Sequence, residues 1–63
     1  MFVIQRNDGK YVSPPGREQS YTDRLQEAMT WNTRREAEKE CCVENETVFS
    51  VADAINRAGG SVR

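Results

Sequence analysis

The stretch FVIQRNDGKYV, residues 2–12, decides the fold, because β-forming residues stand on both sides of an Asn-Asp-Gly turn signal at residues 7–9. Two hairpin registers fit this stretch. A two-residue loop would pair Ile4 with Ser13, whereas a three-residue loop with its glycine in the left-handed conformation would pair Ile4 with Val12. The second register places an apolar residue opposite an apolar residue, and we therefore favour it.

The favoured register also divides the hairpin into two faces, since successive side chains of a strand point to opposite sides. We expect Phe2, Ile4 and Val12 to share the buried face. Val3 and Tyr11 would then lie on the other face.

The sequence after the hairpin indicates local structure less clearly than the hairpin does. A Pro-Pro-Gly run ends the second strand, because proline cannot donate to a ladder, and we expect residues 14–20 to form an exposed, mobile loop. The apolar spacing in residues 21–31 fits both a helix and a strand. We predict a turn near residues 23–26 and a short strand near residues 28–31.

A helix start follows this segment. Thr33 and Glu36 have the spacing of a capping box, which predicts a helix over residues 34–42. Ala37 and Cys41 fall on one narrow apolar stripe of that helix, and such a stripe is typical of a helix that lies on a sheet.

The C-terminal part completes an α+β plan. Residues 46–51 alternate as a final strand, and Ser50 could cap a short last helix that runs through Arg57. The apolar face of this helix would be formed by Ala54, Ile55 and Ala58. We expect residues 59–63 to fray. The fold class predicted for residues 1–63 is one small α+β domain: an antiparallel sheet, made of the N-terminal hairpin plus one or two strands, with one helix packed on one face.

The composition argues against enzymes, metal proteins and membrane proteins. The chain has 63 residues, no histidine and a net charge of −1. Without histidine, the usual base for a serine or cysteine nucleophile is missing. We find neither a phosphate-binding glycine loop nor metal-ligand spacing, so we expect no catalysis, no cofactor, no metal and no small-molecule substrate. We find no apolar run long enough to span a bilayer and no signal peptide. We therefore expect a cytoplasmic protein.

The charges are unevenly distributed. Residues 1–35 carry six bases and four acids, whereas five acids lie within residues 36–46. On the predicted helix, Glu36 and Glu40 repel each other at i,i+4, and Lys39 offsets only part of this repulsion. The acidic helix is either a solvated face that keeps a small protein soluble or a docking surface for a basic partner.

The docking interpretation names a set of residues. The predicted contacts with a partner protein, one with a basic or nucleic-acid-binding surface, are the four acids Glu36, Glu40, Glu44 and Glu46 and the aromatics Tyr11 and Tyr21. The alternative for both tyrosines is the rim of the core.

Three other interpretations remain open at the level of sequence. A nucleic-acid-associated regulator would use the basic residues of the N-terminal half and the helix start, namely Arg6, Lys10, Arg34 and Arg35. A thiol sensor would use Cys42, which we expect to be more exposed than its neighbour Cys41. Exposed sheet edges would also allow a homodimer.

The order of these motifs resembles that of small proteins encoded by phages and prophages, in which a "DGKY" hairpin leads to a "T-R-E-E-A" helix and a closing strand. This chain has Asp-Gly-Lys-Tyr at residues 8–11 and Thr-Arg-Arg-Glu-Ala at residues 33–37. The resemblance covers residues 1–51. It implies an accessory protein that binds a host protein in the host cytoplasm, as inhibitors of host defence such as anti-CRISPR proteins do.

Overall fold

In the computed structural model, which describes residues 1–59, a four-stranded antiparallel sheet has a helix on each of its faces. The strands lie in the order β3-β2-β1-β4. Along the chain the elements are β1 Phe2–Arg6, β2 Tyr11–Val12, β3 Tyr21–Thr22, a 3-10 helix Leu25–Glu27, α1 Arg34–Glu40, β4 Glu46–Ser50 and α2 Val51–Gly59. The predicted α+β class is therefore confirmed.

The hairpin has the register that the three-residue loop predicts. Gln5 lies opposite Tyr11, and the Arg6 amide donates to the Lys10 carbonyl at 2.6 Å. Gly9 has a φ of 98°, a left-handed conformation that favours glycine. The loop residue that allows the turn thus also sets which side chains of β1 and β2 face each other.

The segment after the hairpin differs in part from its prediction. The predicted turn near residues 23–26 appears as the 3-10 helix, but the strand expected near residues 28–31 is reduced to one bridge between Trp31 and Phe2. The two amides donate to each other's carbonyls at 2.8 and 2.9 Å. This bridge forms where β2 has already ended before Pro14, so Trp31 takes the next place beside β1.

The third strand, β3, was not predicted, because the sequence of residues 21–31 fitted both a helix and a strand. It pairs with β2 through Tyr11 opposite Thr22 and Val12 opposite Tyr21. Residues 14–20 form the loop between these strands and contain no helix or strand. The mobility expected for this loop stays a prediction.

Two apolar clusters lie on opposite faces of the sheet, because β1 is buried on both sides. The cluster under α1 contains Ile4, Ala37 and Val48, with Phe2, Val12, Trp31 and Cys41 packed against it. The cluster under α2 contains Val3, Tyr11 and Ala54, with Leu25, Ala28, Phe49 and Val51 packed against it. The expectation of a helix on one face only is therefore too simple, since α2 covers the second face.

The helix caps agree with the sequence, although the helix lengths do not in every case. The Thr33 hydroxyl accepts a hydrogen bond from the Glu36 amide at 3.1 Å, and the Ser50 hydroxyl accepts one from the Asp53 amide at 3.1 Å. Helix α1 ends at residue 40 and not at residue 42, because the backbone of Cys41 is already extended.

The predicted apolar face of α2 is correct only in part. Ala54 is 2% exposed, but Ile55 is 56% exposed and lies outside the core. Consecutive helical residues are separated by about 100° around the axis, so a helix that buries Ala54 against a sheet turns its neighbour away. Of the residues 59–63 that were predicted to fray, Gly59 still belongs to α2, whereas residues 60–63 and the side chain of Ala58 lie outside the described part of the chain.

Candidate protein-binding surface

Helix α1 presents an acidic outer face because its inner face is apolar. Ala37 is fully buried against the sheet, and the half-buried Cys41 follows one turn later. Glu36 and Glu40 lie on the outer side and are exposed, as predicted. The Thr33 cap and the packing of Ala37 thus hold both carboxylates in solvent.

Beside this face lies a groove, which we call the Trp31 groove. It consists of two adjoining depressions that share Met29, Trp31 and Glu40. The first, of about 600 Å³, extends towards Val12 and Pro14 at the end of β2. The second, of about 440 Å³, extends along α1 and is lined there by Glu36 and Lys39, with Met1 on its other side. The groove therefore combines apolar side chains with an acidic wall, and its lining also contains polar residues such as Ser13, Ser20 and Asn32.

The two carboxylates of this wall have no internal partner among residues 1–59. The ion pairs of this part of the chain are Arg6–Asp8, Arg17–Glu27 and Arg24–Glu27. Glu36 and Glu40 belong to none of them, so their charges remain available to a partner molecule.

The other predicted acids lie elsewhere. Glu44 is exposed in the turn after α1 and does not line the Trp31 groove. Glu46 is only 9% exposed at the start of β4. Its carboxylate accepts hydrogen bonds from the Tyr21 hydroxyl and from the Cys42 amide, the latter at 2.8 Å. The fold thus brings Glu46 and Tyr21 together. Their polar groups bind each other and are therefore not free to bind a partner protein.

This pairing affects the tyrosine. The hydrogen bond to Glu46, followed by burial, raises the pKa of the Tyr21 hydroxyl above its ordinary value of 10.0. At neutral pH the hydroxyl therefore remains protonated and donates to the carboxylate. The pair joins the two edge strands of the sheet, since β3 and β4 are separated by β2 and β1.

Tyr11 does not lie on a contact surface. It is 5% exposed and belongs to the cluster under α2. The alternative given for this residue, a place at the rim of the core, is therefore closer to the structure than the contact prediction. Helix α2 covers its face of the hairpin and buries the ring.

Two of the four basic residues considered for nucleic-acid contact have internal partners. The Arg6 guanidinium pairs with Asp8 at 2.6 Å and lies 3.9 Å from the centroid of the Tyr21 ring. Arg34 lies 5.1 Å from the centroid of the Phe2 ring and donates to the Val48 carbonyl at 3.5 Å. These contacts hold Arg6 against the protein, whereas Arg34 remains exposed despite its contacts.

The remaining two bases, Lys10 and Arg35, are exposed. They belong to separate elements of the fold, the hairpin loop and helix α1. The four bases therefore do not form one continuous basic surface that is available to a nucleic acid.

The cysteines are both free thiols. Burial, followed by the nearby carboxylate of Glu46, raises the pKa of the Cys41 thiol above its ordinary value of 9.0. Cys41 therefore stays protonated at neutral pH and acts as a small core residue. Cys42 is exposed, as expected, and its reactivity stays a prediction.

Trp31 and Met29 are groove residues that sequence reasoning missed, since both fell within the short strand expected near residues 28–31. Both are half-buried and line the groove. The available signal was the proline pair at residues 14–15, which ends β2 and leaves the space above these side chains open.

No family model matches the chain, and no curated protein or solved structure is significantly similar to it. Within residues 1–59, the helices are too short and too polar to cross a bilayer. The same residues contain no group of three or more side chains that could hold a metal ion. The chemistry of the Trp31 groove and its acidic wall is therefore the basis for a functional proposal.

Proposed function

We propose that this protein is a non-enzymatic binding protein that docks on a basic surface of a partner protein through the outer face of α1. The observation that carries the proposal is the pair Glu36 and Glu40. Both carboxylates are exposed, have no ion-pair partner among residues 1–59 and stand at the wall of an apolar groove. Charge complementarity of this kind accelerates association and selects partners of opposite charge.

Of the four predicted acids, the proposed contact uses Glu36 and Glu40 on α1 and the exposed Glu44 in the turn after the helix, but not the carboxylate of Glu46. Glu46 already binds the Tyr21 hydroxyl and the Cys42 amide. Its use by a partner would require breaking both hydrogen bonds in a nearly buried position, which costs free energy.

The kind of partner follows from the resemblance to small phage proteins. A phage accessory protein of this size acts by occupying a host protein, and an acidic face suits a host site that binds nucleic acid. We therefore propose that the partner is a subunit of a host defence complex with a basic surface, in the manner of an anti-CRISPR inhibitor.

The test is affinity capture of a partner from host lysate by the tagged protein, with and without nuclease, read by mass spectrometry. The parent protein should retain a stoichiometric protein partner after nuclease treatment. The double reversal Glu36→Lys/Glu40→Lys should lose this partner. The matched reversal Glu18→Lys/Glu38→Lys changes net charge equally at exposed residues that do not line the Trp31 groove, one of them on the opposite flank of α1, and should keep it.

Two results would contradict the proposal. Equal loss of the partner in both double variants would show that overall charge, and not the outer face of α1, determines binding. Loss of every partner on nuclease treatment would favour the alternative function, a nucleic-acid-associated regulator, which a salt-dependent gel shift would then test.

A further inference from the structure

We propose that the Trp31 groove binds a short peptide segment of the partner in which an arginine stands next to an apolar residue. This inference rests on the proposed function, since it names the chemistry that the acidic face recognises.

Four apolar side chains line the groove, and one of them, Trp31, is held in place by its backbone. Val12, Pro14, Met29 and Trp31 line it and are all half-buried, so their inner sides are packed while their outer sides are open. The backbone of Trp31 is fixed by two hydrogen bonds to Phe2. A ligand that covers these side chains removes apolar surface from water, and Trp31 does not have to be ordered first.

The wall of the groove provides the charge. Glu36 and Glu40 are one helical turn apart, which places their Cβ atoms about 5–6 Å from each other on the same side of α1. Lys39 lies on the same wall and offsets one of the two charges. Arg17 also lines the first depression, where it pairs with Glu27 at 3.9 Å, but it does not belong to the α1 wall. The wall therefore has a net preference for a cation.

Arginine fits this combination better than lysine. A guanidinium is planar, so it stacks on an indole face and at the same time donates two parallel hydrogen bonds to a carboxylate. Trp31 and Glu40 line both depressions, so an arginine at their junction can use both. The neighbouring apolar residue would occupy the depression towards Pro14.

The experiment uses Trp31 as its own reporter, because it is the only tryptophan of the chain. The parent protein is titrated with the peptide acetyl-Leu-Arg-Leu-Arg-amide, and the tryptophan emission is followed. The comparison peptide replaces each arginine by citrulline, which keeps the shape and removes the charge. We expect a saturable change in emission with the arginine peptide and binding weaker by about fivefold or more with the citrulline peptide.

Two protein variants locate the effect. Glu36→Gln/Glu40→Gln should weaken arginine-peptide binding by about fivefold, whereas Glu18→Gln/Glu38→Gln should bind as the parent does. Circular dichroism of each variant checks that the fold is retained. The inference is overturned if emission shows no saturable change, if both peptides bind equally, or if the two double variants weaken binding equally.

The outcomes separate this inference from the proposed function. Capture of a partner that depends on Glu36 and Glu40, without binding of the arginine peptide, would refute the groove and keep the function. Binding of the peptide with the expected variant pattern, without any captured partner, would support the groove and refute the function.

Discussion

At the scale of single residues, internal pairing decides which charged side chains are available. Asp8 and Glu46 are both acidic, yet the first binds Arg6 and the second binds Tyr21. Glu36 belongs to no ion pair of residues 1–59 and stays exposed. A charge count along the sequence treats these three acids alike, whereas their contacts give them different roles.

Asp8 allows a prediction of pH dependence. Its carboxylate accepts from the Arg6 guanidinium and from the Lys10 amide, and these contacts lower its pKa from 3.8 to about 2. A folded-state pKa below the unfolded one adds stability at higher pH. This contribution is fully present above the ordinary value and is lost as the pH falls towards the folded-state pKa of about 2.

The measurement is the free energy of unfolding in urea at a series of acidic pH values. The parent should lose more stability through this range than the variant Asp8→Asn, in which position 8 does not titrate. The exposed Asp23 supplies the control, and Asp23→Asn should follow the parent. Identical pH profiles for the parent and Asp8→Asn would contradict the role of this carboxylate.

At the scale of secondary-structure elements, the outer edge of β4 is less open than its position in the sheet suggests. The Glu46 amide donates to the Cys42 carbonyl at 2.8 Å, and the Val48 carbonyl accepts from Arg34 at 3.5 Å. At the other end of the strand, the Ser50 side chain caps α2. Such contacts protect an edge strand from pairing with another copy.

We therefore expect the parent protein to be a monomer and the variant Arg34→Ala to self-associate through β4. Removal of the side chain frees the Val48 carbonyl and takes a positive charge away from the edge. Sedimentation velocity at increasing protein concentration would measure this. Arg35→Ala removes the same charge from an exposed neighbour and should remain monomeric, so equal behaviour of the two variants would refute the role of Arg34.

At the scale of the whole molecule, stability depends on covering both faces of a narrow sheet. β1 contributes Val3 to one face and Ile4 to the other, and both side chains are completely buried. A chain of this length has little apolar surface to bury, so neither cluster alone is an adequate core. The docking of α2 is therefore as necessary as the docking of α1.

A pair of substitutions in α2 tests this dependence. Ala54→Asp places a carboxylate at a position that is 2% exposed, without a partner, and should unfold the domain, because the cost of several kcal/mol approaches the whole stability of a small domain. Ile55→Asp introduces the same side chain at a position that is 56% exposed and should change stability by less than about 1 kcal/mol. Thermal unfolding followed by circular dichroism distinguishes these outcomes, and tolerance of both substitutions would show that α2 is not part of the core.

The sequence alone determined the features that depend on residues close together in the chain. The left-handed Gly9 selects the hairpin register, and the hydroxyls of Thr33 and Ser50 mark the starts of α1 and α2. It also indicated correctly that Glu36 and Glu40 point into solvent. In each case the decisive interactions lie within a few residues, so the local pattern contains the information.

Only the tertiary structure decided the features that join distant segments. The Tyr21 hydroxyl binds a carboxylate 25 residues away, Trp31 completes the ladder beside β1, and α2 buries Tyr11. No local pattern specifies such partners. Many polar and apolar residues of the sequence could form these contacts equally well, and only the packing of the folded chain decides which of them do. The Trp31 groove has the same origin. The short strand β2 ends at Val12 and leaves Trp31 and Met29 partly uncovered, and α1 lies beside these two side chains.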